Sequence, residues 1–320
     1  MAKTDSSTDA SRPRVGVLMG GLSAEREVSL QTGAAVAAGL RQLGYAVVDI
    51  DWTSGDSLPD LLASAAIDVV WNALHGTLGE DGAVQGLCAC MGVPCTGSGI
   101  LASALAMDKI ASKRIFESRN LPTPRWLVLD EQSGDPVEAI AAFGLPAVIK
   151  PANDGSSVGV TIVHDAADIA AAIASARACA GPTLVEEFIA GREIQVGILH
   201  GQILGSVEIR PKEGFYDYDA KYIRDDTEYL VPPPCAPEIL ERIEHLGLAA
   251  HLSLGAAAHG RTDLMLRPDG AAFILEVNTL PGMTSHSLLP KIAAARGLSF
   301  AKLCEAILLP PRLASRNNGH

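Results

Sequence analysis

The sequence lacks a surplus of positive charge: 25 lysines and arginines face 37 acids, a formal net charge of −12. Nucleic-acid binding rests on Lys and Arg neutralising phosphates, so that class of partner is excluded. A small anionic ligand needs only local positive charge and is not. No apolar run approaches the ~20 residues of a membrane span, which excludes a membrane partner. The polar start, Met1 to Pro13, lacks the apolar stretch of a signal peptide, and 1–12 and 313–320 read as disordered tails. Zinc-ligand spacing is also missing. Cys88, Cys90, Cys95, Cys179, Cys235 and Cys304 include no second pair and no downstream histidines at the usual intervals. They read as structural thiols of a reducing compartment. There is no G-x-x-x-x-G-K-[ST], and no G-x-G-x-x-G after the first strand. A P-loop is therefore absent, and a nicotinamide-dependent dehydrogenase is disfavoured.

What is present is enough for substantial cores: 320 residues, 48% of them apolar, suit two or three domains. Val15–Met19 reads as a strand, Val28–Leu43 as a helix closed by Gly44, and Ala46–Ile50 as a second strand. That unit has the length of a parallel crossover. Asp68–Leu74 reads as a third strand, followed by a glycine-rich loop and a helix to Met91. Farther on, a helix is expected over roughly Ala102–Arg119, with strands over Ala147–Lys150, Val158–Val163 and Leu184–Ile189. Further helices are expected over Val137–Phe143, Asp168–Ala178 and Phe300–Leu308. No internal repeat is visible.

Arg261–Met265 and Phe273–Asn278 flank Arg267-Pro268-Asp269-Gly270, a strong turn signal, and read as a β-hairpin. Alternation would put Ile274, Glu276 and Asn278 on one face. A turn closing without a bulge would bring Asp263 to the side of Glu276. Cross-strand or diagonal carboxylates lie about 4.5–8 Å apart at Cα, which accommodates Mg²⁺ with its phosphate companions. A surface hairpin with solvated acids is the plainer alternative. Asp154-Gly155-Ser156-Ser157-Val158-Gly159, just after Lys150, suits an anion or is a simple turn. Gly20-Gly21-x-Ser23 leaves backbone donors at a helix start. Glu25 either complements that helix's dipole or faces a substrate ammonium. His75 lies beyond the carboxyl end of a strand, where α/β sheets bind ligands, or is structural. Lys109 is a phosphate clamp or a solvated helix lysine. Phe215–Tyr222 is a lid or a tyrosine-rich packing loop. Pro281–Ser287 offers donors for an oxyanion and a carboxylate, or simply connects a strand to a helix.

Taken in order, these segments resemble one family. Gly20–Ser29, Leu74-His75-Gly76, Gly79–Gly82, Met107-Asp108-Lys109, Lys150-Pro151 with Gly155–Gly159, Tyr216–Tyr222, Arg261-Thr262-Asp263, Glu276–Thr279 and Pro281–Thr284 are similar to D-alanine–D-alanine ligases of the ATP-grasp superfamily. The resemblance spans about residues 14–309. It implies α/β and α+β architecture: an ATP-grasp fold with an N-terminal parallel-sheet α/β domain at 13–100, a central domain at 101–187 and a C-terminal metal-bearing domain at 188–312. ATP would be co-substrate. Two Mg²⁺ (or Mn²⁺) would be held by Asp263, Glu276 and Asn278. ATP would meet Lys109, Lys150, Ser156, Glu186, Glu187, Ile189, Glu193, Phe215, Lys221 and Asn278. D-alanine would meet Glu25, His75, Lys221, Ser287 and Leu288. Glu25, Ser156, Tyr222, Arg261 and Gly282 would be catalytic: the first three close the lid, and Arg261 with the Gly282 amide supports an oxyanion. A cytoplasmic homodimer feeding peptidoglycan synthesis, cell-wall biogenesis and cell shape is implied.

Two positions depart from the family. Glu187 stands where a lysine is frequent, and Leu280 where a small polar residue is common. Two other functions stay open at this stage. One is a D-alanine–D-lactate ligase, which the tyrosine of Ala220-Lys221-Tyr222 argues against. The other is a non-catalytic nucleotide-binding regulator, for which an oxyanion arginine would be superfluous.

Overall fold

The computed structural model describes residues 12–130, 134–153, 155, 158–179, 181–212, 227–284 and 287–309. The expected tails fall almost entirely outside that range. Among the described residues the strands form three sheets.

The first sheet is parallel, in the order β2 (Val47–Trp52), β1 (Val15–Gly20), β3 (Val69–Asn72). Every residue of β1 is buried, as expected of a central parallel strand covered on both faces. On one face Val15, Val17 and Met19 pack with α1 (Arg26–Gln42), through Val36, Ala37 and Leu40. On the other, Leu18 and Val70 pack with Leu58 and Leu62 of α2 (Leu58–Ser64) and with Val84 and Cys88 of α3 (Ala83–Met91). Ser29 ties the unit together: its hydroxyl accepts from Gly20 N at 2.9 Å and donates to Ala73 O at 2.8 Å. Asp68–Leu74 was expected as the third strand, and the paired part is shorter.

The helix expected over Ala102–Arg119 is two helices, α4 (Ile100–Met107) and α5 (Lys109–Ser118). Asp108 breaks it. Its backbone is extended, and its carboxylate accepts from Ile110 N and Ala111 N, so it serves as an N-cap and starts a new axis. The second sheet is antiparallel, in the order β4 (Trp126–Leu129), β7 (Thr183–Glu187), β5 (Ala147–Pro151), β6 (Thr161–Val163). Only the end of the strand expected over Val158–Val163 is paired. One face packs Ala147, Ile149 and Val185 against α6 (Pro136–Phe143) and α7 (Ile169–Arg177). The other carries Leu184 and Ala152 against Ile110 of α5.

The third sheet is antiparallel, in the order β10 (Glu228–Leu230), β9 (Gln202–Arg210), β8 (Arg192–Leu199), β11 (His259–Leu266), β12 (Ala272–Asn278). One face buries Ile194, Val196, Ile198, Leu264 and Ile274 with Ile243 and Ala250 of α8 (Pro237–Ser253), a helix the sequence reading did not anticipate. The opposite face packs Val207 and Ile209 against α9 (Leu288–Ala295). α10 (Phe300–Leu308), where it was expected, packs on the first sheet's core through Leu303, Cys304, Ile307 and Leu308, so the two ends of the described chain share a core.

At the junction of the first and third sheets, His251 of α8 and His259 of β11 are buried, and His259 lies against Trp71 with ring centroids 6.3 Å apart. His251 Nδ1 and Nε2, His259 Nδ1 and Trp71 Nε1 all lack hydrogen-bond partners. Burial pushes His251 down to about 4. Burial, with His251 and His200 nearby, pushes His259 down to about 3. Both stay neutral when folded, whereas the unfolded chain takes up protons as pH falls through 6.5. Stability is full above pH 6.5 and declines on acidification toward about pH 4. Each histidine is expected to remove about 2 kcal/mol of unfolding free energy between pH 7 and 5. Urea titrations of the wild type and of a His251→Leu variant check this. Equal acid slopes in the two proteins would contradict it.

Candidate active site

The hairpin formed by β11 and β12 pairs as expected, but its register corrects the expected faces. Leu266 pairs with Ala272, Met265 with Phe273 and Leu264 with Ile274, and then Asp263 pairs with Glu276. Leu275 is an extra residue, a β-bulge. Regular pairing would have set Asp263 opposite Leu275 and turned Glu276 toward the core. The bulge therefore brings the two carboxylates to one side, the reverse of the condition read from sequence. Ile274 does not share the face of Glu276 and Asn278. It is buried with Val277 in the core beneath α8. The bulge is braced at the outer edge of β12, where Ile274 N donates to Pro122 O at 2.9 Å and Thr123 Oγ1 donates to Ile274 O at 2.9 Å.

Both acids meet cations. Arg261 grips Asp263 through two bonds, Nε to Oδ1 at 2.7 Å and an Nη to Oδ2 at 2.9 Å, a geometry guanidinium favours. Lys109 Nζ lies 3.2 Å from Glu276 Oε2. Lys109 is the first residue of α5, so this contact joins the second unit to the third. Asn278, opposite Arg261 in the register, accepts from Leu280 N at 3.0 Å. Leu280 itself is buried. Gln195, opposite Asp263 on β8, is buried, donates to Glu193 Oε1 at 3.2 Å, and leaves its own Oε1 without a partner.

The second sheet supplies a buried charge cluster. Val148 pairs with Glu186, and Lys150 is two residues farther along the same strand face. Lys150 Nζ is 2.9 Å from Glu186 Oε2, and Lys113 Nζ of α5 is 2.8 Å from Glu186 Oε1. Burial, the largest influence on Glu186, would raise its pKa, but Lys113 and Lys150 together outweigh it and hold the carboxyl below its usual value. Burial lowers the pKa of Lys113, and the attraction of Glu186 only partly offsets this. Removing one partner of such a buried pair typically costs about 3–5 kcal/mol.

Lys113 was not anticipated. Its signal was available: it sits on the stripe with Ile110 and Phe116, the core-facing spacing of a helix, where a lysine is out of place. Glu187 N donates to Arg125 O at 2.8 Å, and its carboxylate lies 4.0 Å from Arg125 and 3.9 Å from Arg267. The residue that departs from the family is thus fastened between two arginines. Ile189 is buried.

On the first unit, Glu25 caps α1 without using its side chain. A Cβ on Gly76 (φ +70°) would lie 2.8 Å from Glu25 Oε2, and one on Gly155 would lie 3.4 Å from it. The carboxylate therefore sits between the loop after β3 and the glycine loop of the second unit. His75 is held on both nitrogens, by Thr32 Oγ1 at 3.1 Å and Glu80 Oε1 at 2.9 Å, and its carbonyl accepts from Ser23 Oγ at 2.6 Å. It orders the loop beside Glu25. Ser287 Oγ accepts from Thr284 N at 2.9 Å and lies 3.0 Å from Thr284 Oγ1. A Cβ on Gly282 would come within 2.8 Å of Ser287 Oγ, so a larger residue there would have to displace that hydroxyl. The side chain of Leu288 is buried against Val207, Ile209 and Ile292, leaving its main chain for any ligand. Ser156, Phe215, Lys221 and Tyr222 lie outside the described residues.

Two antiparallel sheets bridged by the Lys109–Glu276 contact, beside a small parallel α/β unit, make the ATP-grasp architecture. Comparisons agree. The family described as D-ala D-ala ligase C-terminus matches residues 115–309, and that described as D-ala D-ala ligase N-terminus matches residues 53–98. The chain is 46% identical over 308 residues to the D-alanine–D-alanine ligase of Geobacter sulfurreducens, covering 96% of each. The crystal structure of D-alanine–D-alanine ligase from Bacillus anthracis superposes with a TM-score of 0.82 at 38% identity, covering 92% of this chain and 96% of that one. Its complex with ATP superposes with a TM-score of 0.80 at 36% identity, covering 93% and 96%. The chain belongs to the D-alanine–D-alanine ligase family.

Glu276→Gln is expected to lower turnover by at least about 10²-fold, the scale of losing one charge-stabilising group, with little change in fold. Phosphate-release assays with circular dichroism check this, and near-normal turnover would contradict the reading of Glu276 as a metal ligand.

Proposed function

We propose that this chain joins two D-alanine molecules at the expense of ATP, for peptidoglycan synthesis. A carboxylate is a poor electrophile, so the first D-alanine needs a leaving group. Its carboxylate oxygen takes the γ-phosphoryl group of ATP, giving an acyl phosphate and ADP. The amine of the second D-alanine attacks the acyl carbon and loses a proton, and phosphate departs with its bonding pair. Phosphoryl transfer asks mainly for positioning and charge neutralisation. Lys109 and Lys150 supply positive charge from the second unit, and Arg261 and the Gly282 amide face the oxyanion. Glu25, between the Gly76 and Gly155 loops, receives the first substrate's ammonium, and Ser287 the second substrate's carboxylate.

The observation that carries this reading is the facing pair Asp263 and Glu276, each in contact with a cation from its own or the neighbouring unit. Among the described residues no three His, Cys, Asp or Glu side chains converge as a metal cage. Two carboxylates and the Asn278 amide fit Mg²⁺, which takes few protein oxygens and completes its shell with water and phosphate. Bound there, the metal would neutralise charge on the transferring phosphate. ATP would lie between the second and third units, 101–187 and 188–312. No helix among the described residues is long and apolar enough to cross a membrane. A cytoplasmic homodimer belongs to the same proposal.

ADP formation with Mg²⁺ is expected with D-alanine and not with L-alanine. In a mixture of D-alanine and D-lactate near neutral pH, D-alanyl-D-alanine is the expected main product. Predominant depsipeptide would indicate the hydroxy-acid enzyme, and absence of ADP a non-catalytic nucleotide binder. Mass spectrometry of the products distinguishes the outcomes.

A further inference from the structure

Lys113 is wholly inaccessible to solvent, Glu186 is 2% exposed, and Lys150 is 9% exposed at its side chain. One buried carboxylate thus holds two ammonium groups, one of which stands nearer the solvent. The ordinary role of a buried lysine beside a buried acid is charge compensation, and for Glu186 one lysine would suffice. Two are present, from different elements: Lys113 from α5 and Lys150 from β5. Lys113 is further anchored by its bond to Thr123 Oγ1 at 2.6 Å, and Thr123 in turn donates to Ile274 O. Glu117, one turn along α5, adds a weaker attraction. Lys113 is fixed in the interior, and Lys150 is the member with a route outward.

We propose that Lys113 is a positioning residue whose ammonium stays on Glu186 as its permanent counter-ion, so that the Lys150 ammonium can turn from Glu186 to the phosphates of ATP. Without Lys113, moving Lys150 to a phosphate would strand a buried carboxylate, and an unpaired buried charge is strongly disfavoured. Lys150 would stay clamped to Glu186, or Glu186 would have to take up a proton whenever ATP bound. Lys113 thus acts on nucleotide affinity without touching the nucleotide. The inference rests on the reading that Lys150 meets phosphate.

The test uses the full-length enzyme and four proteins: wild type, Lys113→Met, Lys150→Met, and Lys113→Met with Glu186→Gln. Lys113→Met is expected to raise KM for ATP and the Kd of ATP by roughly tenfold or more, with kcat changed much less. Calorimetry in buffers of different ionisation enthalpy is expected to show ATP-linked proton uptake in Lys113→Met that the wild type lacks. Adding Glu186→Gln removes the stranded charge, so it should restore part of the affinity and abolish the proton uptake. An unchanged KM, a loss confined to kcat, or a loss that Glu186→Gln leaves untouched overturns the proposal. Should Lys113→Met fail to fold, the double variant decides: binding ATP more tightly than Lys150→Met supports the role, and binding no better overturns it. Lys150→Met separates the premise from the inference, because unaltered ATP affinity in that variant removes the phosphate role of Lys150 itself.

Discussion

The site hangs on a single unpaired residue in an edge strand. Leu275 interrupts the alternation of β12, so Ile274 and Val277 both face the core while Glu276 and Asn278 face the other way. Without that interruption Glu276 would be a carboxylate under α8, and Asp263 would face a leucine. A bulge leaves backbone groups that the neighbouring strand cannot satisfy. Beside it, at the outer edge of β12, the connection between α5 and β4 holds the main chain of Ile274 through Pro122 O and Thr123 Oγ1. The same connection enters the second sheet and, through Lys113, its buried charges. The hairpin's geometry is therefore not a private property of the third sheet. It is fixed by the segment that joins the two sheets between which a nucleotide would lie.

The charges follow a consistent pattern. Each acid at the hairpin has a cation against it: Arg261 on Asp263 and Lys109 on Glu276. Glu186, deeper in, has two. A site that must receive a polyanion with its metals cannot be strongly charged of either sign while empty, because bare like charges in a partly dry cleft repel and destabilise the fold. Pairing acids with bases keeps the resting site near neutrality and leaves both kinds of group in position. On the proposed function, incoming phosphates would compete for the lysines and incoming divalent cations for the acids. Each binding event would then make the other easier, because every group released by one partner would be the group the other seeks. The fixed partners, Lys113 above all, would set how freely this exchange proceeds.

Much of this was legible in the chain itself. The Pro268-Asp269-Gly270 turn gave the hairpin, and the apolar runs at Val15, Ala46 and Asp68 gave the parallel unit, since turn chemistry and hydrophobic period are local properties. What was not legible is non-local. The Leu275 bulge has no sequence mark. A leucine between Ile274 and Glu276 fits a regular strand equally well, and the partners that hold the bulge lie some 150 residues away. The break at Asp108 was missed because alanine-rich helices run up to it from one side and an amphipathic helix leaves from the other. Only the capping bonds to Ile110 and Ala111 reveal the join. α8 was passed over although Pro237 and Glu238 mark its start. His75 was placed in the right loop, but both ring nitrogens prove to be engaged by Thr32 and Glu80, a pairing between segments that no spacing rule encodes.

The two ends of the described chain also have to be understood together. Met283, Leu289, Leu303 and Ile307, from the last stretch, complete the core around Val15, Val17 and Trp71. Tyr45 closes the contact by donating to Glu305 Oε1 at 3.1 Å. The segment that carries Gly282 and Ser287 therefore runs from the edge strand of the third sheet into α9, which packs on both sheets, with Leu288 and Ile292 toward the third and Leu289 and Ala293 toward the first. Within that segment Ser287 Oγ lies where a Cβ on Gly282 would come within 2.8 Å of it, and it accepts from Thr284 N at 2.9 Å. That closeness would tie together the amide and the hydroxyl to which the proposed function gives the oxyanion and the second carboxylate.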